Sequence, residues 1–173
     1  MPHSFASSRI LLPVRPWFIG LSLIAALTLN FLPTSAWPWM PDWVALVLLF
    51  WSIREPRRVG MGSAFLLGVL MDVADASVMG QHALAYVLAA YAASSLSRRI
   101  LWFPMAQQAL HVLALLAIVQ LIQLGARAMT GEEFPGLAYF IGPLIGALLW
   151  WPLTFILLLP QYRPVDRDEN RPI

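Results

Sequence analysis

The sequence predicts an all-α integral membrane fold, six transmembrane helices in one compact bundle, and three observations predict it. Of 173 residues, 60% are hydrophobic and 12% charged, and the mean hydropathy is +0.71, far from the balance of a water-soluble domain. Apolar runs recur along the chain, punctuated by arginine-rich or small-residue turns. Spans of about 20 residues with short connections divide the length into about six, with no soluble domain beside them. Residues 1–160 are thus expected to form one polytopic domain, and residues 161–173 a polar cytoplasmic tail.

Composition also excludes several classes. Cysteine is absent, which rules out disulfides and thiolate chemistry. Net charge is +2, but the arginines sit beside apolar runs and form no exposed basic face, so the expected surroundings are membrane lipids and not nucleic acid.

The first span runs from Trp17 to Leu32, about 24 Å if helical, behind Arg9 and Arg15. Thr34-Ser35-Ala36 after it resembles a signal-peptide cleavage site, but the apolar run is long for a signal sequence and is read as uncleaved. Trp37, Trp39 and Trp43 suit a headgroup layer, and Asp42 stands at the N-cap of the second span, Trp43 to Ile53. The hairpin of Arg54, Pro56, Arg57 and Arg58 separates this from the third span, Val59 to Met71. Both spans are short for a hydrocarbon core of about 30 Å.

In the third span Gly60, Ala64 and Gly68 recur every four residues, a face on which a neighbouring backbone can approach closely. The fourth span, His82 to Ser97, repeats the device with Ala85, Ala89, Ala93 and Ser97, which makes these two the expected closest helix pair. Asp72 follows Gly68 on the same face, with Asp75 one turn later. Either both carboxylates face protein or water at the membrane edge, or they are capping residues of the outer loop.

Arg98 and Arg99 close the fourth span. The fifth, Phe103 to Ala126, carries Gln107, Gln108 and His111 near its start, and Gln120 and Gln123 on nearly the opposite side. Interhelical hydrogen bonds account for these, and His82 and His111 read as lone histidines. An outer loop from Arg127 to Pro135 carries an acidic pair, Glu132 and Glu133. The sixth span, Leu137 to Leu159, contains Gly142 and Gly146 at packing spacing, with Pro143 and Pro152 expected to bend it.

In this layout Arg9, Arg15, Arg54, Arg57, Arg58, Arg98, Arg99, Arg163, Arg167 and Arg171 share one side, and Arg127 lies on the other. Both termini are expected in the cytoplasm. Nucleotide-loop, nucleophile-elbow and zinc-protease motifs are absent, and Asp72 with Asp75 supply too few oxygens for a divalent cation. No catalytic residue, cofactor or metal is expected.

Pro41-Asp42-Trp43, Phe50-Trp51 with Pro56, Val59-Gly60, Gly68 to Asp72, and Met79-Gly80 to Ala83-Leu84 together resemble the rod shape-determining protein MreD family of Gram-negative bacteria. Gln107-Gln108 fits the same pattern, and the resemblance extends from about Trp17 to Pro160. Phe50 departs from it, where tyrosine is common, as does Val69, where leucine is.

The resemblance implies a non-enzymatic inner-membrane subunit of the elongation machinery. Its implied partners are MreC, most directly, then MreB, a SEDS glycosyltransferase and a class B penicillin-binding protein. It also implies a fold similar to the substrate-binding subunits of energy-coupling-factor transporters, hence a rival reading as a small-solute-binding subunit. On either reading Asp72, Asp75, Gly80, Gln107 and Gln108 are the candidate partner or pocket residues, and Arg54, Arg57, Arg58, Arg98 and Arg99 the cytoplasmic contacts. A reporter fused at Arg58 is expected to be active only in its cytoplasmic form; activity outside the cytoplasm reverses the topology.

Overall fold

The structure is a computed structural model, and it describes residues 14–32 and 39–161. Arg9, the Thr34-Ser35-Ala36 stretch, Trp37 and the tail with Arg163, Arg167 and Arg171 lie outside the described residues. Six α-helices follow in order: α1 (Pro16–Asn30), α2 (Trp43–Arg54), α3 (Met61–Ala74), α4 (Gln81–Trp102), α5 (Met105–Thr130) and α6 (Ile141–Leu158). A 3-10 turn, Leu137–Phe140, leads into α6, and another, Leu159–Gln161, ends it. Two segments, Met105–Thr130 and Leu137–Gln161, are long and apolar enough to cross a membrane.

Each boundary has a local cause. Asp42 caps α2 by accepting from the Ala45 N–H at 2.9 Å. α4 does not stop at Ser97: it runs through Arg98 and Arg99, whose side chains are exposed, and ends before Phe103-Pro104. α5 likewise continues past Ala126, so Arg127 belongs to its last turn and not to a loop. Gly131, at φ 78°, supplies the left-handed residue that terminates it. Hydropathy marked where apolar character ends, whereas the helices continue through polar residues able to reach solvent. Pro143 sits in the first turn of α6, where its missing N–H costs nothing, so only Pro152 interrupts the helix interior.

The helix α2 is the axis of the bundle. Every residue from Val44 to Ile53 is buried, and α1, α4, α5 and α6 all pack against it. A helix covered on all faces can be apolar all round, which explains why Val44 to Phe50 has no polar stripe. Phe50 and Trp51 lie edge to face at 5.0 Å, Phe50 reaches Trp150 of α6 at 5.6 Å, and Phe18 of α1 reaches Trp51 at 6.2 Å. The Trp51 indole donates to Ser22 Oγ at 2.8 Å, which in turn donates to the Ile19 carbonyl.

Helix α3 packs mainly against α4, and small side chains meet there. Ala64, Ala85, Ala89 and Ala93 are buried. A β-carbon on Gly68 would stand 2.3 Å from Ala83 Cα and 2.5 Å from its nitrogen, so the two backbones touch. Gly60 does not share in this contact: it precedes α3, and a β-carbon there would meet only the Pro56 carbonyl oxygen, at 3.7 Å. Gly142 and Gly146 of α6 admit the Met40 carbonyl and the Leu116 side chain, which a β-carbon would approach to 3.1 and 2.7 Å.

The outer surface is apolar where a soluble bundle would be charged. Trp17 and Ile24 of α1, Phe65 and Leu66 of α3, and Leu148 and Trp151 of α6 are all exposed. Gly68→Ala is expected to destabilise the bundle by about 1–3 kcal/mol through overpacking. Gly125→Ala, with open space around it, should leave the melting temperature unchanged or raise it. Equal melting temperatures for the two variants would show that α3 and α4 are free to separate.

Candidate functional site

Two aspartates organise the end of the bundle at which α1, α3 and α5 finish and α2 and α4 begin. Asp42 does more than cap α2. Its Oδ1 also accepts from Asn30 Nδ2 at 3.0 Å, and its Oδ2 accepts from the Tyr86 hydroxyl at 2.6 Å. Asn30 Oδ1 receives the Trp43 backbone N–H in return, at 2.9 Å. One carboxylate therefore fastens the end of α1 and the first turns of α2 and α4 to one another.

Asp72 is buried in the last turn of α3 and caps the start of α4. Its Oδ2 accepts from the Gly80 N–H at 2.8 Å and from Ala83 at 3.4 Å, and its Oδ1 accepts from the His82 N–H at 2.8 Å. His82 Nδ1 lies 2.9 Å from the same Oδ1, and Ser77 Oγ donates to it at 3.2 Å. Gly80 makes the cap possible, since its φ of 97° turns the chain into α4. His82 is consequently not a lone histidine. It bridges Asp72 and Asp75, with Nε2 3.7 Å from Asp75 Oδ2, and its ring stands edge to face with Tyr86 at 5.8 Å.

A cavity of about 200 Å³ opens at the N-terminal end of α2. Its walls include Asn30, Asp42, Trp43, Asp75, His82, Gln120, Gln123, Arg127 and Tyr139. At 12 residues α2 is about 18 Å long, whereas α5, at 26, is about 39 Å. The longer helix overreaches the axis, and the space lies along that overreach. Gln120 donates to the Tyr139 carbonyl at 2.9 Å, and the Tyr139 hydroxyl donates to Gln123 Oε1 at 2.8 Å. Arg127 stacks over the Tyr139 ring at 6.0 Å and pairs with Glu132 at 3.8 Å. Burial at the cavity wall pushes the Asp75 carboxyl up, and the charge of His82 pulls it back down.

The structure thus divides the residues that the sequence singled out. Asp75 lines this cavity, whereas Asp72 lines a separate one of about 230 Å³ with Val73, Ala76, Ser77 and Met79. Gln107 and Gln108 stand at the start of α5, away from both. Gln107 is exposed, and Gln108 donates to the Phe103 carbonyl at 2.9 Å, securing its own helix start. At that end Arg54 lies over Phe50, Arg57, Arg98 and Arg99 are exposed, and Arg58 donates to the Val14 carbonyl at 2.6 Å. Sequence reasoning missed Gln120, Gln123 and Arg127 as a set. Their spacing places them within about 60° on one face of α5, a signal that was available. Among the described residues no group of three or more His, Asp and Glu side chains is placed to hold a metal ion.

The family model for rod shape-determining protein MreD matches residues 9–160. The chain is also similar to the rod shape-determining protein MreD of Haemophilus influenzae, 31% identical over 166 residues, which cover 94% of this chain and 90% of the relative. No solved structure matches it. Removing the cap with Asp72→Ala strands the Gly80 and His82 N–H groups and is expected to cost about 1–3 kcal/mol. Hydrogen exchange should accelerate at residues 80–83 ahead of the rest of α4; uniform exchange along α4 would show that the cap does not hold this turn.

Proposed function

This chain belongs to the rod shape-determining protein MreD family, and from that premise we propose that it is a six-span inner-membrane scaffold of the cell-elongation machinery. A role in rod shape determination comes with the family itself. The observation that carries the finer reading is the inverted surface: large apolar side chains face outward from α1, α3, α4, α5 and α6, while Asp42, Asp72, Gln120 and Gln123 are turned inward. Lipid is the solvent in which that arrangement is stable.

Placing all six helices across the bilayer puts Arg15, Arg54, Arg57, Arg58, Arg98 and Arg99 on one side and Arg127 on the other, which supports cytoplasmic termini. The short helices α2 and α3 then rely on bilayer thinning or on cover by their neighbours. In this reading the protein is not an enzyme. Its two organising carboxylates, Asp42 and Asp72, are spent on helix starts, and its partners are MreC first, then MreB, the SEDS glycosyltransferase and the class B penicillin-binding protein. The arginine-bearing end meets cytoplasmic partners. Asp72 serves assembly indirectly, by holding α3 against α4 rather than by touching a partner.

Depletion in the native host is expected to turn rods into rounded, swollen cells, with shape restored by re-expression. Normal rods whose growth defect is rescued by one added nutrient would replace this reading with a transporter subunit. The Asp72→Ala protein should lose MreC co-purification only in proportion to its lost melting temperature; loss at full stability would make Asp72 a contact residue.

A further inference from the structure

The cavity at the N-terminal end of α2 holds polar groups that the fold leaves unused. Gln123 is 5% exposed, and neither its Nε2 nor the Nε1 of half-buried Trp43 has a hydrogen-bond partner; Arg127 Nε also makes no hydrogen bond, though it stands 3.8 Å from Glu132 Oε2. Gln120, 9% exposed, leaves its Oε1 unpaired. Buried polar atoms are nearly always satisfied, so the three on Gln120, Gln123 and Trp43 around one cavity point to an occupant. The volume of about 200 Å³ is many times the roughly 10–15 Å³ that one water needs.

The chemistry of the walls defines that occupant. Two of these three unused atoms are N–H donors and one is an acceptor, and the Arg127 guanidinium, already beside Glu132, lines the same wall, so the ligand must bring acceptor oxygens to that side. Asp75 presents a half-exposed carboxylate whose nearest basic partner, His82 Nε2, is 3.7 Å away, beyond hydrogen-bond reach. Asp42 is already engaged by Asn30, Ala45 and Tyr86. A simple anion would meet Asp42, Asp75 and the Glu132 beside Arg127, and a simple cation would leave the Gln123 and Trp43 donors unpaired. Leu29, Met40 and Met71 supply an apolar wall beside these groups.

We propose that this cavity binds a small zwitterionic solute of the amino-acid class. Its carboxylate is held by Arg127, Gln123 and the Trp43 indole N–H, and its ammonium by Asp75. The cavity is distinct from the surfaces that a scaffold offers to protein partners, and the assignment does not depend on the shape-determining role.

The test is calorimetric titration of the full-length protein in lipid nanodiscs with alanine and leucine of either hand, and with propionate and ethylamine, each lacking one charged group. Saturable binding of an amino acid is expected, with propionate and ethylamine at least about tenfold weaker. Asp75→Asn should weaken the amino acid and ethylamine but spare propionate, and Arg127→Gln should do the reverse for the two fragments. Should Arg127→Gln fail to fold, Asp75→Asn decides alone, because Asp75 is half-exposed and caps no helix through its side chain. No saturable heat from any amino acid, equal binding of all the solutes, or binding indifferent to Asp75→Asn overturns the proposal and leaves a water-filled cavity. A protein that restores rod shape yet gives no heat overturns this assignment and not the scaffold.

Discussion

A helix that begins inside an apolar bundle carries unpaired N–H groups that neither lipid nor hydrocarbon side chains can satisfy, and this fold meets that constraint with two carboxylates. Asp42 serves the start of α2 from within the sequence, by an ordinary cap. Asp72 serves the start of α4 from the end of the preceding helix. Each acceptor has more than one donor to serve, so each also ties elements together: Asp42 links α1, α2 and α4 through Asn30 and Tyr86, and Asp72 locks α3 to α4. The cavity follows from the same geometry, because the turns that these carboxylates hold in place form part of its rim.

What was legible in the sequence and what was not divide along physical lines. The all-helical fold and the existence of each helix could be read from apolar runs and turn residues, since both act locally. Helix ends could not be read so well. Arg98, Arg99 and Arg127 stop an apolar run without stopping a helix, because long side chains can carry their charge out to solvent. Asp42 announced itself as a cap by its position before Trp43. Asp72 remained ambiguous because its donors lie 8–11 residues ahead, across a turn whose path depends on Gly80. The polar face of Gln120, Gln123 and Arg127 was passed over by comparing the glutamines with a distant group on the same helix, when the informative neighbour was Tyr139 on the next element.

Packing divides the helices into two kinds of contact. Between α3 and α4 the spacing is set by what is missing: a glycine and alanines bring main chain against main chain, with dispersion as the main source of cohesion. Around α2 the spacing is set by bulk, with Phe50, Trp51 and Trp150 filling the centre. The first kind tolerates no added atom, and the second tolerates no removed one.

The central position of α2 also bears on how the protein is made. Translation delivers it second, yet three of the four helices that enclose it, α4, α5 and α6, are synthesised afterwards. While it waits, only α1 can shield it, and in the six-span reading proposed above the remainder of its Val, Leu and Phe surface rests against lipid. The apolar stretch from Val44 to Phe50 suits both environments equally, so on that reading the nascent helix can be parked in the bilayer at little cost and overgrown later. The unbroken apolar run of α2 is then suited to the order of biosynthesis as much as to the finished core.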